Sequence, residues 1–300
     1  MMPLRENAVH WDTLVYIEMF IAGIAAGAYV TAAVLELLGR GKSPLARSAH
    51  LLAFPLMATA GILLIVDLGR PERFFHMIVQ SKTSLPMLKT WSPISIGSWA
   101  VLLFSGFAFI SFVDALIERG LFAIGGWRQT RTLHGSKLGL LWVLVGGAVG
   151  FFIGAYSGVL LSVTNFSGWG DSAWIGPLYL ASAAVTGMAA LLLIEAIRGR
   201  TGEPDVRVLA GATSALIVWQ MLLLVVFIAA GGSAAVSTFL VGSPLVAIAA
   251  AVVLGGIVPL VLHFTRASAR PPMTALVSVL VLASGLLVRY AVVMGPQLRG

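Results

Sequence analysis

The sequence predicts an all-α integral membrane protein that forms one membrane domain over residues 1–300, with about eight transmembrane helices in a bundle. Two observations carry this prediction. The chain is 59% hydrophobic and only 10% charged, with a mean hydropathy of +0.97, whereas about a quarter of the residues in soluble domains are charged. Apolar runs of about 20 residues, the length needed to cross a hydrocarbon core of about 30 Å, recur along the whole chain.

Short polar segments that contain glycine, proline or basic residues separate the apolar runs. The predicted spans are residues 14–38, 48–67, 94–116, 138–161, 177–197, 209–230, 244–264 and 274–294. The first run is longer than the apolar core of a cleaved signal peptide and follows a polar segment, so we interpret it as a retained helix. An even number of spans places both termini on the same side of the membrane.

Lysine and arginine are distributed unequally between the two sets of loops. Six lie on the side of the termini: Arg5, Arg70, Arg73, Lys82, Lys89 and Arg299. Twelve follow the first, third, fifth and seventh spans: Arg40, Lys42, Arg47, Arg119, Arg128, Arg131, Lys137, Arg198, Arg200, Arg207, Arg266 and Arg270. Because basic residues are enriched in cytoplasmic loops, both termini are predicted to lie on the outer, periplasmic side, together with the segment DLGRPERFFHM at residues 67–77.

The residue types exclude several kinds of site. The chain contains no cysteine, which excludes disulfides, thiolate-bound iron–sulfur clusters and cysteine-based zinc sites within it. No glycine-rich phosphate-binding motif follows a predicted strand, so nucleotide binding is not expected. The net charge of +7 reflects membrane topology rather than nucleic-acid binding. We therefore expect no metal site in this chain, and any cluster must belong to a partner.

Glycines recur at four-residue spacing on two of the predicted helices. They are Gly23 and Gly27 in the first helix, and Gly146, Gly150, Gly154 and Gly158 in the fourth. This spacing places them on one helical face, where neighbouring backbones can approach closely. Plain helix packing explains the pattern, although a flat ligand also fits against glycine.

Polar residues at membrane depth are the most informative, because a charge there is costly and usually has a function or a partner. Glu18 lies about one turn inside the outer end of the first helix, and Tyr156 and Arg289 lie at similar depth in the fourth and eighth helices. Asp67 and Arg70 end the second helix on the same side. This agreement in depth predicts one outward pocket, where a carboxylate, a phenol and a cation bind the oxygens of a quinone head group.

Two alternatives apply to these charged residues. Arg289 could neutralise Glu18 or Asp67 as a structural pair. On the cytoplasmic side, Glu36, Asp114 and Glu195 lie near helix ends and close to basic residues. They are explained either as ion-paired residues at the interface or as a proton path to the outer pocket.

Two other classes of protein compete with this interpretation. A cytochrome b-type haem anchor needs histidines that face each other within the spans. Of the five histidines, His10, His76 and His134 lie outside the spans, which leaves one haem between His50 and His263. A proton-coupled secondary transporter would use Glu18 and Arg289 for its substrate, but such proteins often contain repeated halves with interrupted helices. No confident internal repeat is present.

Four segments, in order, resemble the NrfD/PsrC family, the membrane subunits of polysulfide reductase and related respiratory complexes. They are HWDTLVYIEMFIAGIAAGAY at residues 10–29, DLGRPERFFHM followed by SPISIGSW at 92–99, AYSGVLLSVTN at 155–165 with the nearby Trp169, and SGLLVRYAVVMG at 284–295. The match extends over most of the chain. The predicted count of eight helices agrees with this family.

The resemblance implies a subunit of the bacterial or archaeal cytoplasmic membrane that oxidises quinol, or reduces quinone, without haem or clusters of its own. Menaquinone or ubiquinone is the expected substrate. The implied partners are an iron–sulfur electron-transfer subunit and a molybdenum or multihaem catalytic subunit, docked on the outer face. Such a chain does not act on the terminal substrate alone.

The resemblance also assigns roles to individual residues. Tyr156 falls at the position of a quinone-contacting tyrosine, and Glu18 replaces a histidine of the family's quinone site. These two residues are the predicted catalytic pair. Asp67, Arg70, His76 and Arg289 match family motif positions and are expected in the pocket or its docking surface.

Overall fold

The computed structural model describes residues 11–121, 136–164, 166–263 and 270–298. Several basic residues and histidines used to predict topology or haem binding lie outside the described residues: Arg5, His10, Arg128, Arg131, His134, Arg266 and Arg299.

Ten α-helices account for most of the described chain. They are α1 (Thr13–Leu37), α2 (Pro44–Asp67), α3 (Pro93–Glu118), α4 (Lys137–Ser162), α5 (Ile175–Ile197), α6 (Pro204–Ala230), α7 (Gly232–Phe239), α8 (Gly242–Val252), α9 (Val258–His263) and α10 (Pro271–Gln297). Within the described ranges, eight segments are long and apolar enough to span a membrane, with α8 and α9 together forming the seventh. The predicted all-α fold and its eight spans are confirmed.

The helix starts follow from local sequence. Ser43 caps α2 by accepting a hydrogen bond from Ala46 N at 3.1 Å, and Pro44 occupies the first turn. α6 likewise begins at a proline, Pro204. Proline is favoured at this position because its φ is already helical and its missing N–H is not needed there. Both helices therefore begin four to five residues before the predicted spans at 48 and 209, which rest on hydropathy alone.

The helices α1 and α5 form the centre of the bundle and are the most buried spans. α1 packs against α2, α4, α5 and α10, while α5 also packs against α6. A methyl group at Gly27 would overlap the carbonyl oxygen of Ala183 and approach Gly187 in α5. Small residues thus allow the two central backbones to pack closely, as the glycine spacing predicts.

The seventh span is interrupted. A π-helical turn at Val253–Ile257 joins α8 to α9, and Ser284 Oγ of α10 donates a hydrogen bond to the Ala251 carbonyl just before it, at 3.0 Å. π-Turns of this kind insert a residue into an α-helix and change its direction locally. The preceding short helix α7 and this interruption were not predicted from the sequence.

The loop between α2 and α3 is ordered by short-range structure. A 3₁₀ helix covers Pro71–Met77, and Trp99 Nε1 of α3 donates a hydrogen bond to the Met87 carbonyl at 3.0 Å. This loop covers one end of the bundle, which we call the outer end, following the distribution of charge. The opposite end, where α2 begins and α3 and α5 finish, is called the inner end.

Candidate functional site

A cavity of about 330 Å³ lies at the outer end between α1, α2, α3 and α4. Its volume is within the range of about 300–1,000 Å³ that is typical of small-molecule sites. Most of its wall is apolar, and Glu18, Asp67 and Tyr156 are among the polar residues that line it. The structure therefore brings together three of the residues predicted from sequence, on three different helices.

Glu18 is partly buried in the most central helix and faces this cavity. Within the described parts of the chain, its carboxylate makes no hydrogen bond or ion pair with another side chain or backbone group. A partly buried carboxylate without a protein partner is costly unless water or a ligand satisfies it. Its two oxygens are thus available to a ligand or to water in the cavity.

Tyr156 lines the same cavity from α4 and is held in a fixed position. Its hydroxyl donates a hydrogen bond to the Pro93 carbonyl at 2.8 Å, and its ring packs near Phe152 with centroids 5.6 Å apart. The neighbouring position on α3 is Gly97, where any Cβ would overlap the phenol. Because the proton of the hydroxyl is committed to Pro93, the oxygen can accept a hydrogen bond from a ligand.

The α2–α3 loop closes the outer side of the cavity. Asp67, the last residue of α2, lines the cavity, and so do Leu68, the next residue, and Met77, the last residue of the 3₁₀ helix. Arg70 and His76 belong to the same loop but do not line the cavity. Arg70 is exposed. The His76 ring lies 4.2 Å from that of Phe75, and its buried Nδ1 has no hydrogen-bond partner among the described residues.

Arg289 lies at the predicted depth but outside the cavity. It is 1% exposed, and it donates hydrogen bonds to the Met19 carbonyl at 3.2 Å, Ser182 Oγ at 2.8 Å and the Gly285 carbonyl at 3.2 Å. Its guanidinium also lies 5.5 Å from the ring centre of Tyr179. These contacts join α1, α5 and α10.

The direct structural pair considered for Arg289 is absent among the described residues, although the charge of Arg289 acts on the Glu18 carboxylate through space. Neither Glu18 nor Asp67 makes an ion pair with Arg289 in the described chain. Arg289 therefore packs the helices beside the cavity, and a role as a direct ligand contact is left as a prediction from the resemblance.

The three acidic residues of the inner end are buried. Glu36 is 8% exposed, and Asp114 and Glu195 are fully buried. Glu195 accepts a hydrogen bond from Ser48 Oγ at 2.6 Å and forms an ion pair with Arg198 at 3.3 Å. Glu195 is therefore ion-paired, as the first of the two explanations for these acidic residues predicts. The second explanation was a proton path.

The two histidines considered for haem lie in different surroundings. The His50 ring packs edge-on against Tyr29, with centroids 5.3 Å apart. His263 lines a separate cavity bordered by α5, α6 and α10, and His50 is not part of its wall. The structure therefore does not bring the pair together in one cavity.

Several lining residues were missed by the sequence interpretation. Trp11 lines the cavity and lies 5.3 Å from the ring of Trp169, whose Nε1 donates a hydrogen bond to the Val292 carbonyl at 2.7 Å. Ser98 and Ser157 also line the cavity. Ser157 is one residue beyond Tyr156, and Ser98 lies one turn into α3, so a search for hydroxyl groups at the depth of Glu18 would have found both.

The fold and the cavity together define a class: a multi-pass helical membrane protein with a partly polar ligand cavity near one membrane surface. The chain belongs to the NrfD family, because the family model described as "Polysulphide reductase, NrfD" matches residues 2–299. The predicted family is thereby confirmed.

Two curated relatives are similar to parts of the chain. Methylamine utilization protein MauF of Paracoccus denitrificans is 29% identical over 138 residues, which is 46% of this chain and 43% of that protein. A polypeptide of the polysulfide reductase of Wolinella succinogenes is 26% identical over 199 residues, which is 63% of this chain and 59% of that protein. The matches span only about half the length of these curated relatives.

Proposed function

We propose that this chain is the quinone-reactive membrane subunit of an oxidoreductase complex, and that menaquinol or ubiquinol binds in the outer cavity. The observation that carries the proposal is that the Glu18 carboxylate, which makes no hydrogen bond or ion pair with described residues, lines the same largely apolar cavity as the fixed phenol of Tyr156. A quinol head group is flat and apolar, with a hydroxyl at each end. The family match and the similarity to the polysulfide reductase polypeptide support a redox role.

We assign one of the two side chains to each end of the head group. In the oxidative direction, Glu18 accepts a hydrogen bond and then a proton from one quinol hydroxyl, while the Tyr156 oxygen accepts a hydrogen bond from the other. Quinol becomes quinone by losing two electrons to the partner subunit and two protons, the first to the Glu18 carboxylate and the second to water in the cavity. A positioned base of this kind contributes typically 10²–10⁴-fold to the rate. The reverse reaction uses the same groups with the proton on Glu18.

The electrons pass to a partner subunit. This chain contains no cysteine, so an iron–sulfur cluster that accepts them is bound by another protein. The α2–α3 loop is the proposed docking surface, because it exposes large apolar side chains beside the basic Arg70 and Arg73. Phe74 and Phe75 are each 46% exposed, and Trp91 is 81% exposed. A molybdenum or multihaem subunit completes the proposed complex in the cytoplasmic membrane.

Proton transfer to the inner end is a separate hypothesis. A path through Glu36, Asp114 and Glu195 would have to cross the central part of α1, where residues 19–28 are all apolar or glycine. The rise from Glu18 to Tyr29 is about 16 Å. Such a path therefore needs water or groups from other helices over this distance.

The test is quinol turnover by the complex that co-purifies with the chain. Quinol-dependent reduction of the partner's metal centres is measured beside the partner's activity with artificial dyes. Glu18→Gln should lower quinol turnover by about 100-fold or more, because the base is lost. Tyr156→Phe should lower it by about tenfold, the upper range for one neutral hydrogen bond. Dye activity should not change.

Matched controls are available for both substitutions. Tyr290→Phe alters a tyrosine of α10 that packs on Tyr16, and Glu203→Gln alters a glutamate at the inner end. Both should retain quinol turnover. If Glu18→Gln and Tyr156→Phe behave like these controls, the quinone site is not in this cavity. A chain that purifies alone and transports a solute would contradict the redox function itself.

A further inference from the structure

The inner end of the bundle contains a second feature, which the proposed redox function does not use. Four arginines from α2 and from the segments that follow α3 and α5 line one open cavity of about 480 Å³: Arg47, Arg119, Arg198 and Arg200. Pro44 completes its wall. We call these four residues the arginine cluster.

Three members of the arginine cluster form ion pairs with carboxylates that are more buried than the arginines. Arg47 Nε lies 3.0 Å from Glu118 Oε2, and Arg198 and Arg200 lie 3.3 and 3.8 Å from the two oxygens of Glu195. The Glu195 side chain is fully buried and that of Glu118 is 10% exposed, whereas the arginines are 31–42% exposed. Each guanidinium has five N–H donors, so the ion pairs fix its position and leave donors for the cavity.

Arg119 is the exception. It is exposed and forms no ion pair with any described carboxylate. Partial desolvation and the positive charges of Arg198, Arg47 and Arg200 lower the pKa of the Arg119 guanidinium. Like charges at this spacing repel one another, and an anion between them would remove that repulsion.

The count of charges favours an anion as well. Three of the four arginines contact carboxylates: Arg47 contacts Glu118, Arg198 and Arg200 contact Glu195, and Arg200 also lies 3.9 Å from the partly exposed Glu203. Among the described residues, the four guanidinium charges of the cluster are thus set against three carboxylate charges, and the carboxylates of Glu118 and Glu195 are more buried than the guanidinium groups. An anion that enters from the membrane surface therefore meets the guanidinium groups first.

The ligand chemistry follows from geometry and position. Guanidinium groups bind phosphate oxygens in a bidentate manner, and the arginine cluster lies at helix ends, where the headgroups of a bilayer are located. Basic pockets between transmembrane helices on the cytoplasmic side are suited to anionic headgroups. We propose that the arginine cluster binds a phosphate group, supplied by an anionic phospholipid headgroup or by a free phosphate. This site is independent of the quinone cavity.

The experiment is native mass spectrometry of the full chain, together with any co-purifying subunits, in detergent. The protein is titrated with phosphatidylglycerol, with phosphatidylcholine and, in a separate arm, with inorganic phosphate. The wild type should retain phosphatidylglycerol in preference to phosphatidylcholine. Arg119→Gln should reduce that retention about fivefold, the change that corresponds to about 1 kcal/mol for one arginine near the surface.

Two further variants make the result specific. Arg200→Gln removes a second, 42% exposed member of the arginine cluster and should also reduce retention about fivefold. Arg207→Gln removes a cation of the same end that hydrogen-bonds the Gly202 carbonyl and does not line the cavity. It should retain phosphatidylglycerol like the wild type. All variants are compared after elution as a single monodisperse species.

The two phosphate sources are distinguished by competition. Displacement of phosphatidylglycerol by inorganic phosphate, with both adducts reduced in Arg119→Gln, identifies free phosphate as a ligand of the same site. Retention of the lipid in the presence of inorganic phosphate identifies the headgroup. Equal retention of the two lipids by the wild type, without a phosphate adduct, would overturn the proposal. So would retention by Arg119→Gln and Arg200→Gln that matches the wild type.

Discussion

Gly97 offers the sharpest test of the outer cavity, because a single methyl group there should displace Tyr156. Gly97 is buried in α3, and a Cβ at this position would overlap the hydroxyl and the adjoining ring carbon of Tyr156. The ring would have to leave its place and lose the 2.8 Å hydrogen bond to Pro93. Overpacking costs about 1–3 kcal/mol, and loss of the hydrogen bond adds about 1 kcal/mol.

We therefore expect Gly97→Ala to destabilise the folded protein by about 2–4 kcal/mol and to lower quinol turnover at least about tenfold, as expected for Tyr156→Phe. Gly106→Ala is the matched control, because Gly106 lies on the same helix and no atom lies within 4 Å of the place that its added Cβ would occupy. Both variants are heated in detergent and assayed for remaining folded protein. Quinol turnover and dye activity are then measured below the unfolding temperature.

A double variant separates displacement of the tyrosine from general damage. If Gly97→Ala acts through the Tyr156 hydroxyl, its effect on turnover should be much less than additive with that of Tyr156→Phe, since residues in contact couple. Two results would refute the reasoning. One is a Gly97→Ala protein that matches Gly106→Ala in stability and turnover, and the other is full additivity in the double variant.

Three further predictions concern the packing around the cavity. Arg289→Gln should destabilise the protein by about 3 kcal/mol or more, because it removes hydrogen bonds from a buried charge to three helices; thermal unfolding in detergent measures this, and an unchanged midpoint would contradict it. Gly27→Ala should reduce the yield of monodisperse protein, since its methyl group meets the α5 backbone, while Gly211→Ala, with open space around it, should not. Trp169→Phe should cost about 1 kcal/mol through loss of the hydrogen bond to Val292, as measured by denaturant unfolding, and an equal stability would show that this bond contributes nothing.

Most of the fold could be predicted from the sequence, because spanning a membrane imposes a length and an apolar composition on each helix. The ends of α1 and α5 lie within two residues of the predicted spans. The predicted starts of α2 and α6 were late, since hydropathy does not register the polar first turns that follow Pro44 and Pro204. The short helix α7 was missed because it is too short to span a membrane and leaves no signal of that kind.

The site could be predicted only in part. Glu18, Asp67 and Tyr156 were found because polar residues stand out at membrane depth, and the structure places all three on one cavity. Trp11 was missed because an aromatic residue near a helix start is ordinary at a membrane interface. On the cavity wall it packs against Trp169, a contact between distant parts of the chain that local patterns do not encode.

The depth of a residue in the membrane, which is what the sequence indicates, could not distinguish the role of Glu18 from that of Arg289. The two residues differ in their packing. Both lie in the same outer layer, and burial makes either one costly unless it is satisfied. Arg289 donates hydrogen bonds to three groups of the protein, whereas Glu18 receives none from the described residues. A buried group such as Arg289, whose hydrogen bonds are all made to the protein, stabilises the fold. A partly buried group at a cavity wall that makes no hydrogen bond with the described protein is the one expected to meet a ligand, and this difference is the physical reason to expect chemistry at Glu18.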